Sequence, residues 1–282
     1  MPVPEFVAVG NATRDVVPGG WRLGGTVSFA AVQAQRLGCT AGVVTRAPAD
    51  LDLAKNLPGI ELAVTLSDVA TTFENRYSSA GRDQHILAEG SAIEAGDVPE
   101  AWRSASMVLL GPVWGEIPPG FARVFHDSSL IGVSAQGWLR DADESHRVRH
   151  RSWIGEPFWD GCDVLFVSDE DLAEGRSELD RWTADVAIVA KTESSRGARV
   201  FAGRRWWHMD AFPETEVDPT GAGDTFATGF LIRLHETGDA GDAARFGAAA
   251  ASLSVRGVGI AAMPDRAEVE ERMRRYPEIA LR

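Results

Sequence analysis

Asp218-Pro219-Thr220-Gly221-Ala222-Gly223-Asp224-Thr225-Phe226 is the stretch from which the chain is best read. Pro219 stops the extended segment before it, and Gly221 and Gly223 let the backbone come close to an anion. A helix follows, because Phe226, Ala227, Phe230, Leu231 and Leu234 recur at helical spacing and Thr237-Gly238 supplies a stop. Its first turn offers unpaired N–H groups and the positive end of the helix dipole, a site for negative charge that needs no lysine. Asp224 falls in that turn, where the dipole favours the ionised carboxylate and a substrate hydroxyl beside the anion could donate to it.

Other uses of such a turn fit less well. A dinucleotide fingerprint needs a strand running into the first glycine, a third glycine and an acidic residue about 20 residues on, and a P-loop needs Lys-Ser or Lys-Thr after the last glycine. None of these conditions is clearly met. An isolated Gly-x-Gly-Asp is also a common structural turn, so the longer string decides the reading. Asp218 to Asp224, with Phe226 and Gly229, resembles the C-terminal signature of the ribokinase-like, or PfkB-type, carbohydrate kinases, Asp-x-Thr-Gly-Ala-Gly-Asp-x-Phe. Gly24-Gly25-Thr26-Val27-Ser28-Phe29-Ala30-Ala31, closing with Arg36-Leu37-Gly38, resembles the family's N-terminal Gly-Gly signature at the same internal length. Val7-Ala8-Val9-Gly10-Asn11 with Asp15 resembles its first strand and sugar-binding acid, so the likeness spans nearly the whole chain.

The resemblance implies an α/β fold, a central mostly parallel sheet flanked by helices with a small β lid, in one domain over residues 1–282. It implies ATP as donor, Mg2+ as cofactor and a small sugar, polyol or nucleoside as acceptor. Asp224 becomes the catalytic base, and Gly221, Ala222 and Gly223 the anion hole. Phosphoryl transfer needs charge stabilisation and in-line positioning more than a strong base, so this division of roles is chemically sound. Asn11, Asp15, Gly24 and Gly25 become the acceptor-binding set. A carboxylate with an amide binds neighbouring hydroxyls, and two glycines let a polyol lie against the backbone. Taken alone, Asp15 reads as a turn or cap residue.

Departures from the family pattern carry information too. Phe29 stands where an Asn is usual, which removes one polar contact near the acceptor. The family's Asn-x-x-Glu, which organises magnesium and phosphate through water, is replaced by Ser168-Asp169-Glu170-Asp171. Ser168 then contacts the nucleotide and Asp171 the metal through water, with a solvent-facing acidic helix start as the competing reading. Thr192 to Ala198 resembles the nucleotide-binding Thr-x-Gly-x-x-Gly segment, with Ser194 at the first glycine and Gly197 at the second; Thr220 completes the nucleotide set. The apolar run Val186 to Ala190 predicts a buried parallel strand ending near Thr192, and ligands bind at such strand ends. A monovalent cation near Asp218 and Val258-Gly259 is a further expectation from the family. The Thr71-Thr72-Phe73-Glu74 string and the Gly-Gly-x-x-Ser-Phe variant resemble inositol-type kinases, which makes a cyclitol such as myo-inositol a serious acceptor candidate. A nucleoside kinase, or a non-catalytic sugar-binding regulatory relative, is the alternative.

The remaining sequence bounds these readings. At 282 residues the chain suits one large α/β domain with a small appendage. Apolar runs at Phe6–Val9, Met107–Leu110, 130–133, 164–167 and 186–190 alternate with helix-like segments, the signature of βαβ units. Thr71 to Tyr77 and His85 to Ala88 read as strands around the turn-rich Ser78-Ser79-Ala80-Gly81-Arg82-Asp83, so the lid is expected from about 12–22 and 64–90, with Pro18-Gly19-Gly20 as a turn at its base. Net charge of −13 without a basic run argues against nucleic acid. No spanning apolar stretch and no signal-peptide core are seen, so a cytoplasmic protein without membrane contact is expected. Cys39 and Cys162 do not suggest a disulfide framework. His146 and His150, separated by Arg-Val-Arg, are read as a solvated helix rather than a metal site. Trp206-Trp207, among nine tryptophans, is compatible with a homodimer face or with ordinary packing.

Overall fold

The computed structural model describes residues 2–78, 81–172 and 177–282. In chain order it runs β1 (Phe6–Val9), β2 (Thr13–Val17), β3 (Gly20–Gly24), α1 (Thr26–Arg36), β4 (Ala41–Ala47), α2 (Leu53–Asn56), β5 (Glu61–Leu66), β6 (Thr71–Ser78), β7 (Gly81–Ala88), β8 (Met107–Leu110) and β9 (Leu130–Ser134). There follow β10 (Arg140–Ala142), β11 (Val148–His150), β12 (Val164–Ser168), α3 (Ser177–Asp185), β13 (Ile188–Thr192), β14 (Ala198–Ala202), β15 (Arg205–Met209), α4 (Ala222–Thr237), α5 (Ala240–Ser254) and α6 (Arg266–Arg275).

Nine strands form one sheet in the order β15-β14-β13-β12-β9-β8-β1-β4-β5. Every neighbouring pair is parallel except β13 with β14 and β14 with β15. The chain starts at β1, moves outward through β4 and β5, then returns to β8 on the other side. Order therefore reverses between β1 and β8, and the crevice outside their carboxyl ends is where open α/β sheets place ligands. A second sheet of four strands, β3-β2-β6-β7, stands beside that crevice. The expected strands at Thr71 and His85 and the turn at Pro18-Gly19 all belong to it. Val64 to Leu66, by contrast, lie in the edge strand of the large sheet. The expected turn at Ser79-Ala80 lies outside the described residues.

One face of the large sheet carries α1, α4 and α5, packed through Phe29, Phe226, Phe230, Leu231 and Phe246. Helix α4 can lie close to β9 because a Cβ at Gly132 would stand 2.7 Å from Leu231. The other face departs from the expected alternation of strands and helices. Besides β9, residues 111–163 contain short 3-10 turns and a hairpin but no α-helix. Large rings close that face instead: Trp102, Trp138, Phe158, Trp159 and Trp182 are buried. Trp138 stacks flat on Phe158 at 4.6 Å, and Trp159 meets Phe158 edge-on at 4.9 Å. An aromatic side chain buries about 150–250 Å², so a few of them shield strands that a helix would otherwise cover. This accounts for much of the tryptophan content. It also corrects the reading of His146 and His150, which lie in the β10–β11 hairpin: His146 is in its turn at φ +61°, and His150 ends β11.

Candidate active site

The turn before α4 is built as its residues suggest. Asp218 accepts the Thr220 N–H at 3.0 Å, Ala222 donates to the Pro219 carbonyl at 3.1 Å, and Gly221 takes φ +82° as the residue that caps the helix. No side chain caps this N-terminus, so its first-turn N–H groups face the crevice available to an anion. Gly221 is required for a second reason. A Cβ there would lie 2.2 Å from the Phe29 ring, which is buried directly against the turn. Phe29, the departure from the usual Asn, thus supplies an apolar wall behind this turn. Gly223 is exposed, and nothing lies within 4 Å of its would-be Cβ.

Asp224 is half-buried in the first turn. Burial pushes its pKa up to about 6, a hydrogen bond from Thr26 and the charge of Arg140 pull it down, and the charges of Asp171 and Asp15 raise it further. Asp15, Asp171 and Asp224 are therefore in one electrostatic neighbourhood, although they are separated by up to 209 positions in the sequence. A carboxylate near 6 is ionised at neutral pH yet basic enough to take a hydroxyl proton.

On the acceptor side, the Thr13 hydroxyl donates to Asp15 at 2.9 Å. A Cβ at Gly24 would fall 2.3 Å from an Asp15 carboxylate oxygen, so glycine there makes room for that group. Gly25, at φ +86°, has the Asn11 carbonyl 2.5 Å from its would-be Cβ and starts α1, which brings Thr26 to Asp224. Asn11 is placed differently from its expected role. It is fully buried, its amide nitrogen donates to the Ser91 carbonyl at 2.9 Å, and its amide oxygen accepts the Arg46 N–H at 3.3 Å. These bonds use the side chain to tie loops together.

On the donor side, Ser168 and Thr192 are register partners at the carboxyl ends of β12 and β13. The predicted strand before Thr192 is shifted, running Ile188–Thr192. Asp171 is buried and accepts the Ser168 hydroxyl at 2.6 Å and the Ser168 N–H at 3.1 Å, rather than projecting into solvent. Ser194 holds φ +52°, in the left-handed region, which is the physical reason a glycine is usual there. Gly197 at φ +102° would place a Cβ 2.0 Å from the Met209 carbonyl, so no side chain fits.

Three contributors were not legible in the motifs. Thr26 was quoted only as part of a signature, yet its hydroxyl reaches Asp224. Glu116 is buried and accepts the N–H groups of Asn11 at 2.8 Å, Val113 at 3.0 Å and Trp114 at 2.8 Å, joining the exits of β1 and β8. Burial nevertheless pushes its pKa up. Arg140 follows the end of β9. A cleft of about 570 Å³ also opens beside β3, lined by Trp21, Leu23, Asp50, Lys55, Gly259 and Ile260. Asp15, Asp171 and Asp224 do not line it.

The model of the pfkB family of carbohydrate kinases matches residues 155–266, which include Ser168, Thr192 and the whole Asp218-to-Asp224 turn. Over that segment the chain matches the PfkB family. Its fold is ribokinase-like: a pyrophosphate-dependent kinase of the ribokinase family, complexed with a pyrophosphate analog and myo-inositol, superposes with a TM-score of 0.76 at 24% identity, covering 94% of this chain and 99% of that one. The Arabidopsis thaliana ribokinase complexed with ribose and ATP superposes with a TM-score of 0.74 at 21% identity, covering 96% and 99%. Among curated relatives, the chain is similar to inositol 3-kinase of Oryza sativa subsp. japonica, 26% identical over 91% of this chain and 69% of the relative. It is 47% identical to Bacillus subtilis (strain 168) ribokinase over 81 residues, a match that spans 28% of either protein.

Proposed function

We propose that this protein is an ATP- and magnesium-dependent kinase that transfers the γ-phosphoryl group to a hydroxyl of a small sugar or polyol, with a cyclitol such as myo-inositol as the leading acceptor. One observation carries the reading: Asp224 stands in the first turn of an uncapped helix, bonded by Thr26 and within the field of Asp15 and Asp171. The acceptor hydroxyl donates to Asp224, its oxygen lines up with the terminal phosphorus, and the N–H groups around Gly221 to Gly223 hold the phosphoryl oxygens. The polar edge of Asp15 beside Gly24 and Gly25 receives the acceptor's other hydroxyls. Ser168, Thr192, Ser194, Gly197 and Thr220 line the donor side.

Among the described residues no three His, Cys, Asp or Glu side chains are grouped to hold a metal directly. That suits magnesium, which keeps several waters and is bound through substrate phosphates with one or two carboxylates. Asp171, whose charge raises the pKa of Asp224, is the residue assigned to it through water. When bound, the ion neutralises charge on the donor phosphates. The sheet β3-β2-β6-β7 serves as a lid that excludes water and so favours transfer over hydrolysis. The loops around Asp218 and Val258-Gly259 are joined where the Val217 and Asp218 N–H groups both donate to the Val255 carbonyl; this is the place proposed for a monovalent cation. No helix among the described residues is long and apolar enough to cross a membrane.

The test is direct. Purified protein with magnesium and ATP, or pyrophosphate in place of ATP, is offered myo-inositol, pentoses, hexoses and nucleosides, and phosphorylated product is read by mass spectrometry. One strong cyclitol or sugar product supports the proposal, a nucleoside monophosphate moves the acceptor class, and donor binding without any product points to the regulatory alternative. Asp224→Asn should lose most turnover while keeping acceptor binding; unchanged turnover rejects Asp224 as base.

A further inference from the structure

The chain that leaves β8 is held tightly from Gly111 onward. A Cβ at Gly111 would lie 2.2 Å from Thr26 Cγ2, so this exit is pressed on the start of α1, and the Thr26 hydroxyl reaches Asp224. The Val113 and Trp114 N–H groups then donate to the buried Glu116 carboxylate at 3.0 and 2.8 Å. At the exit of β1 the Asn11 N–H donates to the same carboxylate at 2.8 Å. Gly115 turns the backbone directly afterwards at φ +71°. The Trp114 backbone is therefore fixed to both strands that flank the order reversal, where ligands of such sheets bind.

From that base the Trp114 side chain meets the small sheet. Its ring stands edge-on to Phe73, with centroids 6.1 Å apart, and it packs on the apolar cluster of Phe73, Ile86 and Val113. Phe73 is the register partner of Asp15 on the neighbouring parallel strand. Adjacent strands lie about 4.8 Å apart and register partners project from the same face. Asp15 and Phe73 are therefore side by side on the face of the small sheet that Trp114 touches. Gly24 leaves room for the Asp15 carboxylate on the other side. The indole itself is not spent on packing. The indoles of Trp102, Trp138 and Trp159 donate to fixed acceptors. The Trp114 indole N–H has no hydrogen-bond partner among the described residues, and the side chain is only partly buried.

We propose that Trp114 is the acceptor-selecting residue: its indole lies against the C–H face of a six-membered polyol ring and its N–H donates to one acceptor hydroxyl. The proposal rests on the kinase reading. A cyclitol or pyranose is apolar on its two faces, where C–H bonds project, and polar around its rim. An indole beside a carboxylate matches both parts, since the flat ring covers a face while the N–H and Asp15 meet the rim. Tryptophan does this with two side-chain torsions, so little entropy is lost on binding. A furanose carrying a base presents no such broad C–H face. A site that bonds a substrate hydroxyl also rejects the analogue lacking it, because the donor is left unpaired.

The experiment compares wild type, Trp114→Phe and Trp114→Ala with magnesium, ATP and each of myo-inositol, glucose and cytidine, adding the single-deoxy analogues of both polyols. It measures kcat, both KM values and urea stability. Phenylalanine keeps an apolar ring and removes the N–H, so the polyol KM should rise about 3- to 10-fold. Uniform binding is what is lost, so kcat and the ATP KM should stay within about 2-fold. Alanine removes the ring as well and should raise the polyol KM about 30-fold or more. One deoxy analogue, lacking the hydroxyl that Trp114 meets, should have the same KM in wild type and Trp114→Phe. A folded Trp114→Phe with wild-type KM for the polyol and every deoxy analogue overturns the proposal and leaves the kinase reading standing. A loss shared equally by the ATP KM, or seen only in urea stability, also overturns it, since Trp114 would then be a packing residue. A wild type that prefers cytidine, or any acceptor without a six-membered polyol ring, does the same with the kinase reading intact. A wild type that transfers to none of the acceptors, or to any wider panel, overturns the kinase reading and this proposal together.

Discussion

Thr26→Val tests how the base is tuned. Thr26 is 3% exposed, and its hydroxyl donates to Asp224, opposing the rise caused by burial, Asp171 and Asp15. Valine retains the methyl that packs on Gly111, whose would-be Cβ lies 2.2 Å from Thr26 Cγ2, so the helix start should keep its shape. A hydrogen bond to a charged group contributes about 1.5–3 kcal/mol. Asp224 is only half-buried and regains some hydration, so the lower figure applies, equivalent to a shift of about 1 pH unit. The sign follows from the base being active when ionised: activity is present above its pKa, which stands at about 6, and is lost as pH falls through that value. In Thr26→Val the acid limb of kcat/KM should move up to about 7. At pH 6 the variant then has about a fifth of wild-type activity, while the alkaline plateau is unchanged. The assay is a pH–rate profile on one acceptor, with urea denaturation to check the fold. An acid limb that stays in place beside an unchanged plateau refutes the argument that Thr26 sets this pKa.

Gly221→Ala combines a left-handed backbone with a collision against Phe29, so it should cost about 2–4 kcal/mol of stability and most of the transfer rate; urea denaturation of the single variant and of Gly221→Ala with Phe29→Ala would separate the two causes. Glu116→Ala strands the buried N–H groups of Asn11 and Val113 and the part-buried one of Trp114 at the exits of β1 and β8. The expected loss is about 3–5 kcal/mol, and a loss below about 1 kcal/mol would mean that water replaces the carboxylate freely. Ser194→Gly relieves a residue at φ +52°. After the greater freedom of glycine in the unfolded chain is subtracted, it should stabilise by about 0.5–1 kcal/mol, readable as a higher urea midpoint with an unchanged slope.

Where the chemistry depends on residues close in sequence, it could be read directly. The turn into α4, the place of Asp224 in its first turn and the stop at Gly238 all follow from backbone rules over a few residues, and all three stand in the structure. Strands β1, β8, β9 and β12 were visible as short apolar runs because a parallel strand is buried on both faces. The cover that residues 111–163 contribute was not visible, since Trp138, Phe158 and Trp159 are set by turns and leave no periodicity. His146 and His150 misled for the opposite reason: a four-residue spacing suits a helix, but left-handed His146 turns a hairpin there.

The sequence by itself determined the fold class, the glycine turn into α4 and the acid in that helix's first turn, because each rests on patterns that a few neighbouring side chains dictate. Only the tertiary structure decided what surrounds that acid. Thr26, Asp15, Arg140 and Asp171 reach Asp224 from four separate segments, and their effect on its pKa depends on distance and burial, which no spacing encodes. The same holds for Phe29 against Gly221 and for the inward amide of Asn11. A contact across a packed crevice is a property of the assembled sheet and helices, so it becomes defined only when they meet.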